Sequence, residues 1–388
     1  MLNRSSRTAE HVALFRALET ARRRDRVIDD PYAVRFLTGR YRFLARLARV
    51  PAARRWLERY LDRRFPGGPR ASAVVRTRLI DELVDDALAG ADGHGPAVEG
   101  GHEPAGGDGR DALAADGGRE ALAGGGGWDA LSTEGGREGL ATEGGREALA
   151  GGDGRNGLAA DGGRDGSGGE EGRDQVGDSG GRDRLGGGRG QVVLLGAGYD
   201  SRAYRLVGLR SVRVFEVDHP ATQATKRRLV GAAVGAERRE QVRFVGVDLM
   251  RDDLAGALRQ AGFSGEERTV VVWEGVTNYL TADAVDTTLR ALAGIAAGGS
   301  RIVFTYVDRA ALDGSGRYQG VWQDAVRRHG EPWTFGFDPD ALPGYLAERG
   351  LRLMLDLSAR DAADRYLVPL GRHEPAAAFY RIAQAEVR

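Results

Sequence analysis

The residues best placed to do chemistry lie between Gln191 and Asp218, in the stretch QVVLLGAGYDSRAYRLVGLRSVRVFEVD. Gly196, Ala197 and Gly198 follow an apolar run, Val192 to Leu195. Two acids, Glu216 and Asp218, close a second apolar run, and the last lies about 20 residues past the glycines, the spacing of a nucleoside-binding unit. Glycines at such a turn let the backbone bend sharply and let a ligand approach where a Cβ would collide. A carboxylate at the end of the second strand can accept both hydroxyls of a ribose. The order strand, glycine turn, helix, strand, acid therefore points to a nucleoside. The glycines alone would also fit a tight loop with no ligand.

The residues after the turn narrow the choice of nucleoside. A dinucleotide site carries a third glycine and sets pyrophosphate on a helix N-terminus. Here the third position is Ser201, and Asp200 sits where a diphosphate would lie and would repel it. A ligand with ribose, adenine and an amino acid tail but no phosphate fits better, and S-adenosylmethionine is such a molecule. Two rivals are an NAD(P)-dependent oxidoreductase and a non-catalytic binding or scaffolding module.

The segments LGAGYDSRAYRL and FEVDHP do not stand alone. Thr8-Ala9-Glu10, Arg16-Ala17-Leu18-Glu19, Asp30-Pro31, Arg76-Thr77-Arg78 with Ile80-Asp81, Val247-Asp248-Leu249, and Trp273-Glu274-Gly275 with Tyr279-Leu280 accompany them in order. Together they resemble the leucine carboxyl methyltransferase-like family of class I S-adenosylmethionine-dependent methyltransferases. Its bacterial members include many small-molecule O-methyltransferases. The resemblance implies a Rossmann-like fold and a set of cofactor contacts. Gly196, Ala197 and Gly198 would line the cofactor, with Asp218 on the ribose and Glu216 beside it. Asp248 would meet the adenine amino group, Leu249 would pack against the ring, and Glu274 would lie near the amino acid tail. Arg76 would take the cofactor's carboxylate, with Arg16 assisting.

Several of these residues have plainer readings. A guanidinium fork suits a carboxylate, yet Arg76 could form a surface salt bridge. Asp248 could be a helix N-cap. Glu274 closes the run Val270-Val271-Val272-Trp273, where an acid is costly unless paired. Arg202 and Arg205 read as helix-surface or ion-pair residues, and Asp200 and Ser201 as N-caps. Tyr279 could border the transferred methyl. For a small-molecule acceptor, 308–337 offers Arg317, Tyr318, Trp322, Trp333 and Phe335, and Arg365-Tyr366 is a further candidate for an acceptor carboxylate. His219, His329 and His373 are isolated, and neither a Ser-His-Asp spacing nor a His-rich metal spacing is present.

These residues need elements to hold them. Apolar runs at 191–195, 212–217, 242–247, 269–274, 301–306, 351–357 and 376–384 read as strands. Helical stretches between them include Ala221–Val230, Ala282–Ala297, Trp322–His329 and Pro339–Arg349. Alternation of this kind predicts an α/β fold, a mostly parallel seven-stranded sheet with ligands at the strands' C-terminal ends. Residues 1–89 read as an N-terminal helical cap. Within it, Arg40 to Arg64 reads as a solvated basic face with Trp56, Tyr60 and Phe65 buried; the alternative is a basic cap for an anionic substrate or surface. Residues 90–190 differ. Arg110, Arg119, Arg137, Arg146, Arg155, Arg164, Arg173 and Arg182 fall on a nine-residue ladder rich in glycine. That unit lacks the carboxylates of a calcium-binding roll and offers little to bury, so it reads as a flexible insert. Residues 191–388 form the nucleoside-binding core.

Composition excludes a few classes. The 388 residues carry 56 basic and 56 acidic side chains, so bulk charge does not point to nucleic acid or a membrane. With no cysteine there is no disulfide and no thiolate nucleophile. The N-terminus carries no long apolar stretch, and a cytoplasmic protein is expected.

Overall fold

The computed structural model of the chain describes residues 7–65, 67–90, 190–235, 240–313 and 333–388. Arg317, Tyr318, Trp322, His329, the helix expected over 322–329 and the repeat ladder lie outside the described residues.

Two strands form the sheet's centre. β1 (Gln191–Leu195) and β4 (Thr269–Trp273) are buried at every position, as uninterrupted apolar strands are when both faces of a parallel sheet are covered. The others are β2 (Arg213–Asp218), β3 (Val242–Gly246), β5 (Arg301–Val307), β6 (Leu351–Ser358) and β7 (Tyr380–Val387). They lie in the order β3-β2-β1-β4-β5-β7-β6. All neighbours pair in parallel except β7, which is antiparallel to β5 and β6. The expected mostly parallel, seven-stranded α/β sheet is present. Its order reverses between β1 and β4, and the crevice beyond the strand ends at such a point is where open sheets bind ligands.

Before the sheet come α1 (Arg7–Thr20), α2 (Ala33–Phe36), α3 (Gly39–Leu47), α4 (Pro51–Arg64) and α5 (Pro69–Leu88). Interleaved with the strands are α6 (Arg202–Arg205), α7 (Pro220–Ala233), α8 (Leu254–Gln260), α9 (Ala282–Ile295), α10 (Arg309–Leu312), α11 (Leu342–Ala347) and α12 (Ala359–Tyr366). The apolar stripe of α9, with Val285, Leu289 and Leu292, packs into a core shared with Val271, Trp273, Ile302 and Phe304.

Three expectations change. β7 begins at Tyr380, not at residue 376, because Ala377 N donates to Ser72 Oγ of α5 at 2.8 Å instead of joining the sheet. The helix expected over 339–349 is shortened to α11, since Asp338 accepts from Asp340 N and closes a turn there. The Arg40–Arg64 face does not bury its aromatics. Trp56 is 59% exposed and stacks on Tyr60 at 5.7 Å, while Phe65 is half-buried.

Candidate active site

The glycine turn leaves β1 in the left-handed region, with φ of +66° at Gly196 and +38° at Gly198. Gly196 also has no room for a side chain, since a Cβ would lie 2.3 Å from Val276 Cγ2 in the loop after β4. The two loops of the crevice therefore touch. Ala197 N donates to Val217 O at 3.0 Å, and Gly198 N to Asp218 Oδ2 at 2.6 Å. His219 N donates to Asp218 Oδ1 at 2.7 Å. This carboxylate is thus oriented at the end of β2, with lone pairs left on each oxygen. Burial pushes its pKa up against the pull of those two N–H groups. α1 covers the turn: a Cβ added at Gly198 would meet Ala9 Cβ at 3.5 Å, and Arg16 donates to Tyr199 O.

Below the turn lies a buried pair. Lys226, the chain's only lysine, sits on α7 with its Nζ 2.8 Å from Glu216 Oε2 and donates to Ala197 O at 3.2 Å. Glu216 is therefore occupied by Lys226, and burial raises its pKa. The pair braces the glycine turn from below.

At the end of β4, Glu274 stands between two guanidiniums. Its Oε1 accepts from Arg76 Nε at 2.7 Å and its Oε2 from Arg202 Nη1 at 2.6 Å. Burial pushes this carboxyl up, but Arg202 and Arg76 outweigh burial and hold it at about 2. Arg76 is buried and is not a surface salt bridge. Its terminal nitrogens make no hydrogen bond among the described residues, and its guanidinium lies over the Tyr380 ring at 4.9 Å. Tyr380 Oη is 3.3 Å from Thr305 Oγ1, which accepts from Gly275 N at 2.8 Å.

Arg202 is the hub of this region: of the two readings, helix surface and ion pair, the ion pair holds. It is fully buried and reaches Asp81 at 2.7 Å, Asp200 at 2.6 Å and Glu274 at 2.6 Å. Arg205 is buried too and pairs with Asp81 at 2.6 Å. Ser201 donates to Asp30 Oδ2 and does not cap α6 with its side chain. Arg16 pairs with the same Asp30 and donates to Tyr199 O, so it braces the glycine loop.

The remaining candidates are scattered more widely. Asp248, after β3, accepts from Met250 N at 3.0 Å, and the N-cap of α8 is Asp253 instead. Leu249 packs on the core edge. Tyr279 is half-buried in the turn after β4. Arg365 is engaged by Glu82 of α5, which also accepts from Tyr366 Oη at 2.8 Å. Trp333 lies tilted beside Phe379 and Tyr380, whereas Phe335 joins the core beside Phe337. His219 caps α7, and His373 is exposed.

Sequence reasoning gave no site role to Arg202, Asp81, Lys226 or Tyr380. One signal was available, for Lys226: a lone lysine among so many arginines.

The sequence profile of the leucine carboxyl methyltransferase family matches residues 9–98 and 172–293. A Mycolicibacterium smegmatis protein named "Putative S-adenosyl-L-methionine-dependent methyltransferase" is 41% identical over 137 residues, 35% of this chain and 45% of that protein. One of the same name from Mycolicibacterium gilvum is 32% identical over 197 residues, 47% of this chain and 62% of its own length. The chain spans about half the length of the curated relatives it matches. Among solved structures, an O-methyltransferase family protein from Burkholderia thailandensis is 15% identical over 50% of each chain with a TM-score of 0.36. A likeness that slight carries no argument about chemistry.

Proposed function

Because the chain belongs to the leucine carboxyl methyltransferase family, we propose that it binds S-adenosyl-L-methionine in the crevice between β1 and β4. We propose that it directs the methyl group to an oxygen, carboxylate or hydroxyl, of a small organic acceptor. The observation that carries this reading is the donor set around the glycine turn. Asp218, Asp248 and the Arg76–Glu274 pair follow β2, β3 and β4. Asp200, where a diphosphate would lie, is held ionised: burial pushes its pKa up, but Arg202, Lys226 and Arg16 outweigh burial and hold it well below the usual carboxylate range. The set favours a nucleoside without phosphate.

When bound, the cofactor supplies an electrophilic methyl on a sulfonium. The chain's own residues supply position. Asp218 would accept the ribose hydroxyls, and Asp248 the adenine amino group, with Leu249 against the ring. Arg76 would hold the tail's carboxylate through its terminal nitrogens, and Glu274 the ammonium. Tyr279, Tyr380 and Trp333 would border the acceptor. Arg317 and Tyr318 remain acceptor candidates, and Arg365 is a weaker one because Glu82 already engages it. In-line transfer depends on alignment and exclusion of water. A carboxylate acceptor is already ionised at neutral pH, whereas a hydroxyl needs a base.

Calorimetric titration with S-adenosylhomocysteine and, separately, NAD(H) tests the reading. The homocysteine nucleoside should bind and NAD(H) should not. Asp218→Ala should weaken binding about a hundredfold, the loss of two hydrogen bonds to a charged acceptor. Binding of NAD(H) alone would overturn the proposal.

A further inference from the structure

Overall neutrality hides an uneven distribution of charge. Residues 90–190 hold twenty acids against ten arginines, so the rest of the chain carries a net positive charge of ten. Part of that excess gathers on α3 and α4. Arg46, Arg49, Arg55, Arg59 and Arg63 are exposed there and form no ion pair among the described residues. The two acids of α4 do not offset them. Glu58 is buried and taken by Arg22, and Asp62 is taken by Arg70.

Apolar side chains protrude from these elements as well. Phe43, Leu47 and Val50 are 64%, 41% and 54% exposed, and the stacked Trp56–Tyr60 pair follows one helix later. The opposite side of these helices is well buried through Tyr41, Ala45, Leu57 and Leu61. The exposed residues are therefore the outer face of a packed element. Exposed apolar side chains rimmed by polar ones mark sites of interaction.

We propose that the α3–α4 face docks on an anionic lipid bilayer. An acidic polypeptide or a nucleic acid would neutralise the arginines but leave Phe43, Leu47 and Val50 in water. A lipid interface satisfies both sets at once. Tryptophan and tyrosine favour the headgroup level, guanidiniums reach lipid phosphates while their stems lie along apolar surface, and interfacial helices combine these two faces. The protruding residues span two helices and the turn between them, which suits a fluid surface better than one fitted groove. Among the described residues no helix is long and apolar enough to cross a membrane. α3 is tied to α1 by Tyr41 Oη and His11 Nε2 at 2.7 Å, and α1 covers the glycine turn, so docking would set the crevice close to the bilayer.

The test is flotation of the full-length protein with phosphatidylcholine vesicles, with and without phosphatidylglycerol. Binding to the anionic vesicles only, weakening with salt, is expected. Each of Arg55→Gln, Arg59→Gln and Arg63→Gln should lower partitioning about fivefold. Trp56→Ala with Tyr60→Ala should lower it about tenfold or more, with circular dichroism unchanged. Equal binding to neutral vesicles, binding that survives the aromatic double variant, or no binding to anionic vesicles overturns the proposal. Retention of a polyglutamate or nucleic acid ligand without vesicle binding overturns it in favour of those partners.

Discussion

The chain uses arginine in two opposite ways. Around the crevice, Arg76, Arg202 and Arg205 are buried, and each is matched to acids on other elements. On α3 and α4, Arg46, Arg49, Arg55, Arg59 and Arg63 face solvent, and the local acids point elsewhere. The residue type is the same, but the partner differs. A buried guanidinium has lost its water and must be paired; an exposed one keeps its water and is free to meet a ligand. The count of arginines therefore says little, whereas the count of acids within reach of each separates a scaffold from a docking face.

The sharpest way to break the comparison is to remove the hub. Arg202→Met leaves Asp81, Asp200 and Glu274 buried with one guanidinium fewer. An uncompensated buried charge costs about 3–5 kcal/mol, which in a chain of this size lowers Tm by about 5 °C. Differential scanning calorimetry of the variant reads this directly. A shift no larger than that of a surface substitution would mean that the crevice does not depend on its ion pairs.

Acid offers a finer probe of the same cluster. Glu274 is held near 2, below its ordinary 4.5. A depressed carboxyl contributes stability that is complete above about 4.5 and lost as the pH falls toward 2. Glu58 and Glu216 go the other way, because burial raises them against their cationic neighbours. The fold binds their protons more tightly than the unfolded chain does, so mild acid favours it at these two sites. Urea unfolding of wild type and Glu274→Gln should show a gap of the order of 3 kcal/mol at neutral pH that closes between about pH 4.5 and 2. A gap independent of pH would place the effect in packing, not charge.

Much of this was legible in the sequence where local pattern and chemistry agree. The glycine turn, Asp218 and the strand-ending Glu274 declare themselves because strand period, turn residues and an acid in an apolar run are all local features. The mostly parallel, seven-stranded sheet followed from alternating strands and helices, whereas its strand order did not. The hub was not legible, because Arg202 meets Asp81 across 121 positions and Glu274 across 72, and no local pattern tells a paired arginine from a solvated one. The same blindness applied to Trp56 and Tyr60. Their spacing of four puts them on one face of a helix, but which face is turned inward depends on Leu57 and Leu61 finding the cap's core.

The smallest expected effect tests the other half of the comparison. If the α3–α4 arginines do no structural work, Arg55→Gln, Arg59→Gln and Arg63→Gln should each change stability by less than about 0.5 kcal/mol, within a degree or so of Tm on the same calorimeter. Replacing all three should slightly stabilise the fold at low salt, because like charges on one helix face repel one another, and the gain should fade as salt screens them. A residue that costs nothing to lose from the fold yet lowers binding to anionic vesicles is held at the surface for a partner. A substantial loss of stability would instead show these guanidiniums to be paired in solution, and the distinction between the two arginine populations would fail.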